Sequence, residues 1–403
     1  MPETTRIADA DRLAFAQAIQ AQPLWTQMQS AASAFSLEQN ILLHAGPAFK
    51  SVETIPRPIM NSACVAAVYE GIAADFDQAE AMIRAAEIDL KPAQDYAVVT
   101  PLAAVVSASM PMHRVEDASN PAIRSYTPIN GGSRPSLRLG LRSDDVLEHI
   151  RWLNGAFCDL LQSGLNRGIE LIPIAASGLR HGDDCHGRTP HASGVLMVEL
   201  EQGIQGGIQD SNSKQFIASS PSLFLNLWMA ATKCIMRRAS AVEASSFVTA
   251  AGGNGVEMGI QISAFPGRWF TTAAMPPRGR FDIEVPLSRG LGAIGDSAVI
   301  DALGLGAMAI HLSPEQKKGL GDFLPENYRE RIEKLTLGAH PGLSGLDCKI
   351  GLSARAAVEL GYGPMIGLGI VDAQGELGRL GGGIYDMPVT AFADAMTALK
   401  PPC

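Results

Sequence analysis

The densest concentration of reactive side chains is His181-Gly182-Asp183-Asp184-Cys185-His186-Gly187-Arg188-Thr189-Pro190-His191. It puts three imidazoles, two carboxylates, one thiol and one guanidinium into eleven positions. Three readings fit such a run. His181 and Cys185 stand four apart and His186 and His191 five apart, donor types that suit zinc, although the spacing matches no standard zinc signature. An imidazole beside a guanidinium also suits acid–base work on an anion: His186 would move a proton while Arg188 grips a phosphate or carboxylate through paired N–H donors. The third reading is a polar loop capping a helix that starts near Pro190. Cys185 as nucleophile would need a lowered thiol pKa, and nothing in the sequence marks one.

A second candidate is Thr249-Ala250-Ala251-Gly252-Gly253-Asn254-Gly255, between two strand-like segments. A glycine-rich turn there would expose N–H groups to an oxyanion, with Asn254 bonding an amide. No phosphate-loop or dinucleotide signature is present, and a hairpin with Asn-Gly at its tip fits the same residues. His44-Ala45-Gly46-Pro47 falls at a strand end, where α/β proteins place ligands, but a lone His there also serves structure. Asp296 reads as a helix N-cap, and Trp269 reads as core. Asn226, inside an apolar helix, must find a partner, usually a backbone group. Neither a GxSxG elbow nor an HExxH pair occurs.

The elements that must hold these residues can be read from periodicity. Helices are expected near 9–22, 60–73 and 77–86, with a strand at Ile41-Leu42-Leu43-His44 and a buried strand over 97–107 that ends in the small-residue loop at Ser109. Punctuation from Asn120-Pro121 to Arg134-Pro135 suggests a loop and a domain boundary near residue 140. Ser143 should cap a long amphipathic helix running to about Gly164 or Gly168, and Pro221 to Arg238 should be a buried helix. Strands follow near 246–249, 258–263, 268–271 and 365–371, with a Gly/Ala-rich helix over 294–310 and a short helix capped by Ser353. Strands alternating with helices indicate an α/β protein. Two α/β domains are expected, 1–140 and 141–403, with Gly-rich loops forming a site between them.

Composition narrows the function. The chain has 403 residues, 32 Lys+Arg against 41 Asp+Glu, and a net charge of −9. That balance, with no local basic cluster, argues against nucleic acid as partner. No segment is long and apolar enough for a membrane span and no secretory leader is visible, so the cytoplasm is expected. Six cysteines without dense spacing read as mostly reduced core thiols. Forty-one glycines and 25 prolines imply many tight turns.

Several segments together resemble the YlbE-like family: LLHAGP (42–47), SASMP (107–111), RWL (151–153), GDDCHGR (182–188), LFLNLWMAATK (223–233), SSFVTAAGGNGVEMGIQIS (245–263), RWFTTAA (268–274) and IGDSA (294–298). They stand in family order along nearly the whole chain. The family is associated with anaerobic allantoin-degradation operons and the oxamate carbamoyltransferase complex. The resemblance implies carbamoyl transfer between phosphate and oxamate, run towards oxalurate phosphorolysis. It also implies an oligomeric enzyme with an FdrA-like partner subunit and a small anionic substrate. The chain departs from the family pattern at Ala93-Gln94-Asp95-Tyr96, Asn130-Gly131-Gly132 and Ser219-Ser220-Pro221-Ser222, and it lacks the STRT signature of ordinary carbamoyltransferases. On this reading His186, oriented by Asp184, and Arg188 are the catalytic candidates. His44, Gly46, Ser109, Gly253, Asn254 and Gly255 are the substrate-binding candidates, and no cofactor or metal is expected. The rival expectations are a zinc-dependent amidohydrolase using His181, Cys185 and His186, and a non-catalytic scaffold subunit.

Overall fold

The buried helix expected at 221–238 forms over Leu223–Arg238 and runs through the larger of two hydrophobic cores in the computed structural model, which describes residues 3–400. Phe224, Leu227, Trp228, Met229 and Ile235 are almost wholly buried, each contributing on the order of 1.5–3 kcal/mol. The helix covers an antiparallel sheet in the order Asn120–Pro128, Pro111–Asp117, Pro23–Ser30, Ile169–Glu170. The N-terminal helix Glu3–Ala18 joins this core rather than its sequence neighbours. Its Asp11 carboxylate accepts hydrogen bonds from Ser245 Oγ, the Ser246 N–H and Ser353 Oγ, at 2.6–2.9 Å.

The smaller core is built almost entirely from residues 31–150. Strand Ile41–His44, helices Arg57–Tyr69 and Phe76–Arg84, and strand Asp89–Pro92 follow one another, and the two strands pair in parallel. Only Val105–Val106 of the 97–107 segment is a strand, paired antiparallel to Leu43 and His44. Pro101 cannot donate to a ladder, and Ala97 and Leu102 take positive φ values of 60° and 46°. The segment is buried as expected, but its backbone polar groups find other partners.

The second departure is Asn120–Pro128, which the prolines marked as loop. It is an edge strand, where a residue without an N–H costs no ladder bond on its open side. The long helix after Ser143 forms with Ser143 Oγ accepting from the Val146 N–H. A π-helical turn at Leu153–Phe157 interrupts it before Cys158–Gly164.

Three further sheets complete the fold. The first runs Phe270–Ala273, Glu257–Ile262, Val248–Asn254, Ile294–Gly295, the second runs Arg278–Phe281, Arg379–Asp386, Met365–Val371, and Thr336–Gly338 pairs with Ile350–Leu352. Mixed helices and sheets of this kind are an α/β architecture. The Gly/Ala-rich 294–310 segment divides into that short strand, the helix Ala298–Leu303 and a 3-10 turn at Gly306–Leu312. Cys64, Cys158, Cys185, Cys234 and Cys348 are free and buried, while Cys403 lies outside the described residues. No helix among the described residues is long and apolar enough to cross a membrane.

Candidate functional site

The GDDCHGR loop is held in shape by its own carboxylates. Asp184 Oδ1 accepts from the backbone N–H groups of His186 and Arg188, both at 2.8 Å, and Asp183 Oδ2 accepts from the Ala192 N–H at the start of helix Pro190–Glu201. Asp184 therefore shapes the turn and does not touch the imidazole ring. The ring is oriented by Asp301, from helix Ala298–Leu303: His186 Nδ1–H donates to Asp301 Oδ2 at 2.6 Å. Asp301 Oδ1 is in turn fixed by the N–H groups of Ala307 and Gly367. Burial disfavours the imidazolium, but Asp301 outweighs it, so the His186 pKa lies above its ordinary value. This carboxylate–imidazole pair leaves Nε2 as the nitrogen able to exchange a proton. Arg188 is half-buried in the same loop, and its guanidinium joins no ion pair among the described residues.

The other polar residues of the run diverge. His181 stacks on His191 at 3.9 Å between ring centres, and both bond Ser177, through its carbonyl and its hydroxyl respectively. Cys185 is buried at φ +64°, lies 3.7 Å from the Ala175 carbonyl, and burial pushes its thiol pKa well up. No three metal-ligating side chains converge among the described residues, so the zinc grouping of His181, Cys185 and His186 does not assemble.

The glycine-rich segment is strand rather than turn. Gly252 and Gly253 lie inside the ladder against Gly259 and Met258, Gly253 also pairs with Gly295, and the chain reverses at Gly255 (φ +86°). Asn254 is fully engaged: its Nδ2 donates to the Pro47 carbonyl, and its Oδ1 accepts from the N–H groups of Val256 and Glu257. Gly46, at φ +75°, presses onto this strand so closely that a Cβ would lie 2.4 Å from the Gly253 carbonyl carbon. The glycines thus permit two backbones to touch. His44 is buried against Phe49, its Nδ1–H donates to the Ala45 carbonyl, and burial lowers its pKa to about 4. Ser109 is exposed and bonds Glu70 through both its N–H and its hydroxyl. Asn226 donates to the Asn130 carbonyl, the backbone partner expected of it, whereas Trp269 is only half-buried.

Where these segments meet lies a polar chain that motif spacing did not reveal. Asp296 is not a helix cap. Its buried carboxylate accepts from the Gly46 N–H (3.0 Å), Gln94 Nε2 (2.7 Å), and the Thr100 N–H and Oγ1 (3.0 and 3.1 Å). Burial still raises its pKa to about 6. Gln94 Oε1 faces Lys233, whose ammonium donates to it at 3.1 Å and to the Thr249 carbonyl at 3.0 Å. Lys233 is buried, and desolvation lowers its pKa to about 7. It also lines a cavity of about 510 Å³ together with Asp95, Arg124, Arg237 and Gln261. The signal for Lys233 was a cation set inside the apolar run LFLNLWMAATKCIM, and for Asp301 a lone acid in AVIDALGLGAM. Neither sits in a recognisable motif.

A mixed α/β protein with buried carboxylate-centred networks at Asp301 and Asp296 beside its candidate site is the class that fold and site define. The sequence model of the family described as oxamate carbamoyltransferase subunit AllG matches residues 88–297, which include Gln94, the GDDCHGR loop, Lys233 and Asp296. The chain is 32% identical over 417 residues to the Escherichia coli (strain K12) oxamate carbamoyltransferase subunit AllG, covering 98% of each. It is 29% identical to the uncharacterized protein YahG of the same organism, covering 98% of this chain and 86% of that one. A crystal structure of a conserved protein of unknown function from Enterococcus faecalis V583 matches with a TM-score of 0.92 at 26% identity, over 98% of both chains. The chain belongs to the AllG family, in line with the resemblance its segments carry.

Proposed function

We propose that this chain is a subunit of a carbamoyltransferase that works between oxamate and phosphate, assembled with an FdrA-like partner. The observation that carries this is the end-to-end relationship, 98% of each chain at 32% identity, to a protein named as an oxamate carbamoyltransferase subunit. In the phosphorolytic direction a phosphate oxygen bonds to the carbamoyl carbon of oxalurate and the carbon–nitrogen bond to oxamate breaks. The departing nitrogen takes a proton, and carbamoyl phosphate and oxamate result.

The His186–Asp301 pair suits that proton. A raised imidazole pKa keeps more of the acid form near neutrality, and Nδ1 is already committed to the carboxylate. Arg188, two positions further along the same loop and in no ion pair among the described residues, suits the anionic group. Asp184 would support both by holding the turn that carries them.

The test is oxalurate phosphorolysis by the chain reconstituted with its partner subunits, scored as carbamoyl phosphate formed. Turnover should require this chain, and His186→Gln should lower kcat by about 10²-fold or more, the usual contribution of a positioned acid. Full turnover without this chain would overturn the subunit reading. Unchanged kcat in the variant would overturn the role of His186.

A further inference from the structure

No residue of the His186 loop lines the cavity floored by Lys233, and the glycine-rich strand Val248–Asn254 contributes Thr249 to it. Its floor is buried and polar, with Lys233, Gln94, Thr249 and Gln261 all at most 5% exposed, and its rim carries Arg124, Arg237 and Asp95. We propose that this cavity binds a small anionic primary amide, a molecule in which an unsubstituted carboxamide adjoins a carboxylate or a phosphate.

The donor arrangement favours the anion. The Lys233 ammonium has three N–H bonds, and two go to neutral acceptors, Gln94 Oε1 and the Thr249 carbonyl. One remains for the cavity it lines. Gln94 cannot turn away, because its amide nitrogen is held by Asp296 Oδ1 and by the Ala251 carbonyl. Arg237, one helical turn beyond Lys233, uses one nitrogen on the Arg124 carbonyl, and Arg124 uses its Nε on the Pro121 carbonyl, 3.9 Å from Glu116 Oε2. Both guanidiniums keep further donors. A buried amine with no carboxylate in contact, its pKa held near 7, is a group that an incoming anion would stabilise in its charged form.

The acceptor arrangement favours the amide. Asp95 Oδ1 accepts from Gln261 Nε2 at 2.7 Å and from Trp269 Nε1 at 3.1 Å. That leaves Oδ2 to accept an N–H from a ligand, whereas a second anionic oxygen placed there would meet like charge. The lining, with Lys233, Arg237 and the partly paired Arg124 against the single carboxylate of Asp95, thus recognises an anion with an N–H beside it. Oxamate and carbamoyl phosphate have this chemistry, so the choice of probes rests on the carbamoyltransferase reading.

Calorimetric titration of the full-length chain tests this with oxamate, oxalate and inorganic phosphate. Oxamate should bind at least tenfold more tightly than oxalate, and phosphate should displace oxamate if the anion subsite serves both. Lys233→Met should abolish binding. Arg237→Ala, at an exposed position, should weaken it tenfold or more. Asp95→Asn should narrow the oxamate–oxalate gap. Absence of oxamate binding, equal binding of oxalate, or binding untouched by both cation variants would overturn the assignment, and phosphate that leaves oxamate bound would remove the phosphate half of the class. Binding that persists in a complex without turnover would count against the enzyme reading alone. Turnover by the complex with no binding to this cavity would count against the cavity alone.

Discussion

Replacing Lys233 by methionine should change how stability depends on pH, and the structure sets the size of that change. The side chain is 3% exposed, and desolvation lowers its pKa from 10.5 to about 7. Above pH 10.5 the amine is neutral in both folded and unfolded chains, so the shift costs nothing. Below pH 7 it is protonated in both, and the full cost of burying the charge is present. Between these limits the unfolded chain holds more protons, so the stability of the unaltered protein rises with pH. Integrating from pH 6 to pH 10 with 1.36 kcal/mol per pKa unit gives a rise of about 4 kcal/mol that the methionine variant lacks.

Urea denaturation of both proteins at a series of pH values gives the difference directly, since groups common to both cancel. The wild-type-minus-variant difference should climb by several kcal/mol across this range. A flat or falling difference would refute the claim that Lys233 is buried without a contact counter-charge.

Gly46→Ala should destabilise the fold by about 3 kcal/mol, combining the cost of a left-handed residue with a Cβ 2.4 Å from the Gly253 backbone, read as a drop in the urea midpoint. Asp301→Asn should lower the His186 pKa below its present raised value, followed by NMR titration of the ring. The stability that Asp301 lends is present below the unfolded His pKa and disappears as pH rises through the folded one, so the variant should lose more stability at pH 5 than at pH 9. With Cys403 replaced by serine, none of the five buried thiols should react with a thiol reagent at pH 7 until the protein unfolds; rapid reaction of Cys185 in the native state would contradict its burial and raised pKa.

Local pattern carried much of the architecture. Apolar stripes at helical spacing marked Leu223–Arg238, and Ser143 and Ser353 announced their helices as side-chain caps because capping involves residues only three apart. Proline and glycine were harder to read. At Asn120–Pro128 and at Gly252–Gly253 the same residues that favour turns are tolerated in strands, the first because it lies at a sheet edge, the second because a neighbouring backbone presses against it. In the candidate site, His186 and Arg188 were visible from their types and crowding, while the group that orients the imidazole was not.

From sequence alone come the acidic balance, the α/β alternation, most helices and the relationship to carbamoyltransferase subunits, since each depends on composition, on short spacings or on the order of segments. Tertiary structure alone chose the partners of the buried polar groups: Asp301 for His186 across 115 positions, Gln94 for Lys233 across 139, and the Gly46 N–H for Asp296 across 250. A side chain withdrawn from water must find its complement among whatever the packed chain brings within about 3 Å, and no local periodicity encodes that meeting.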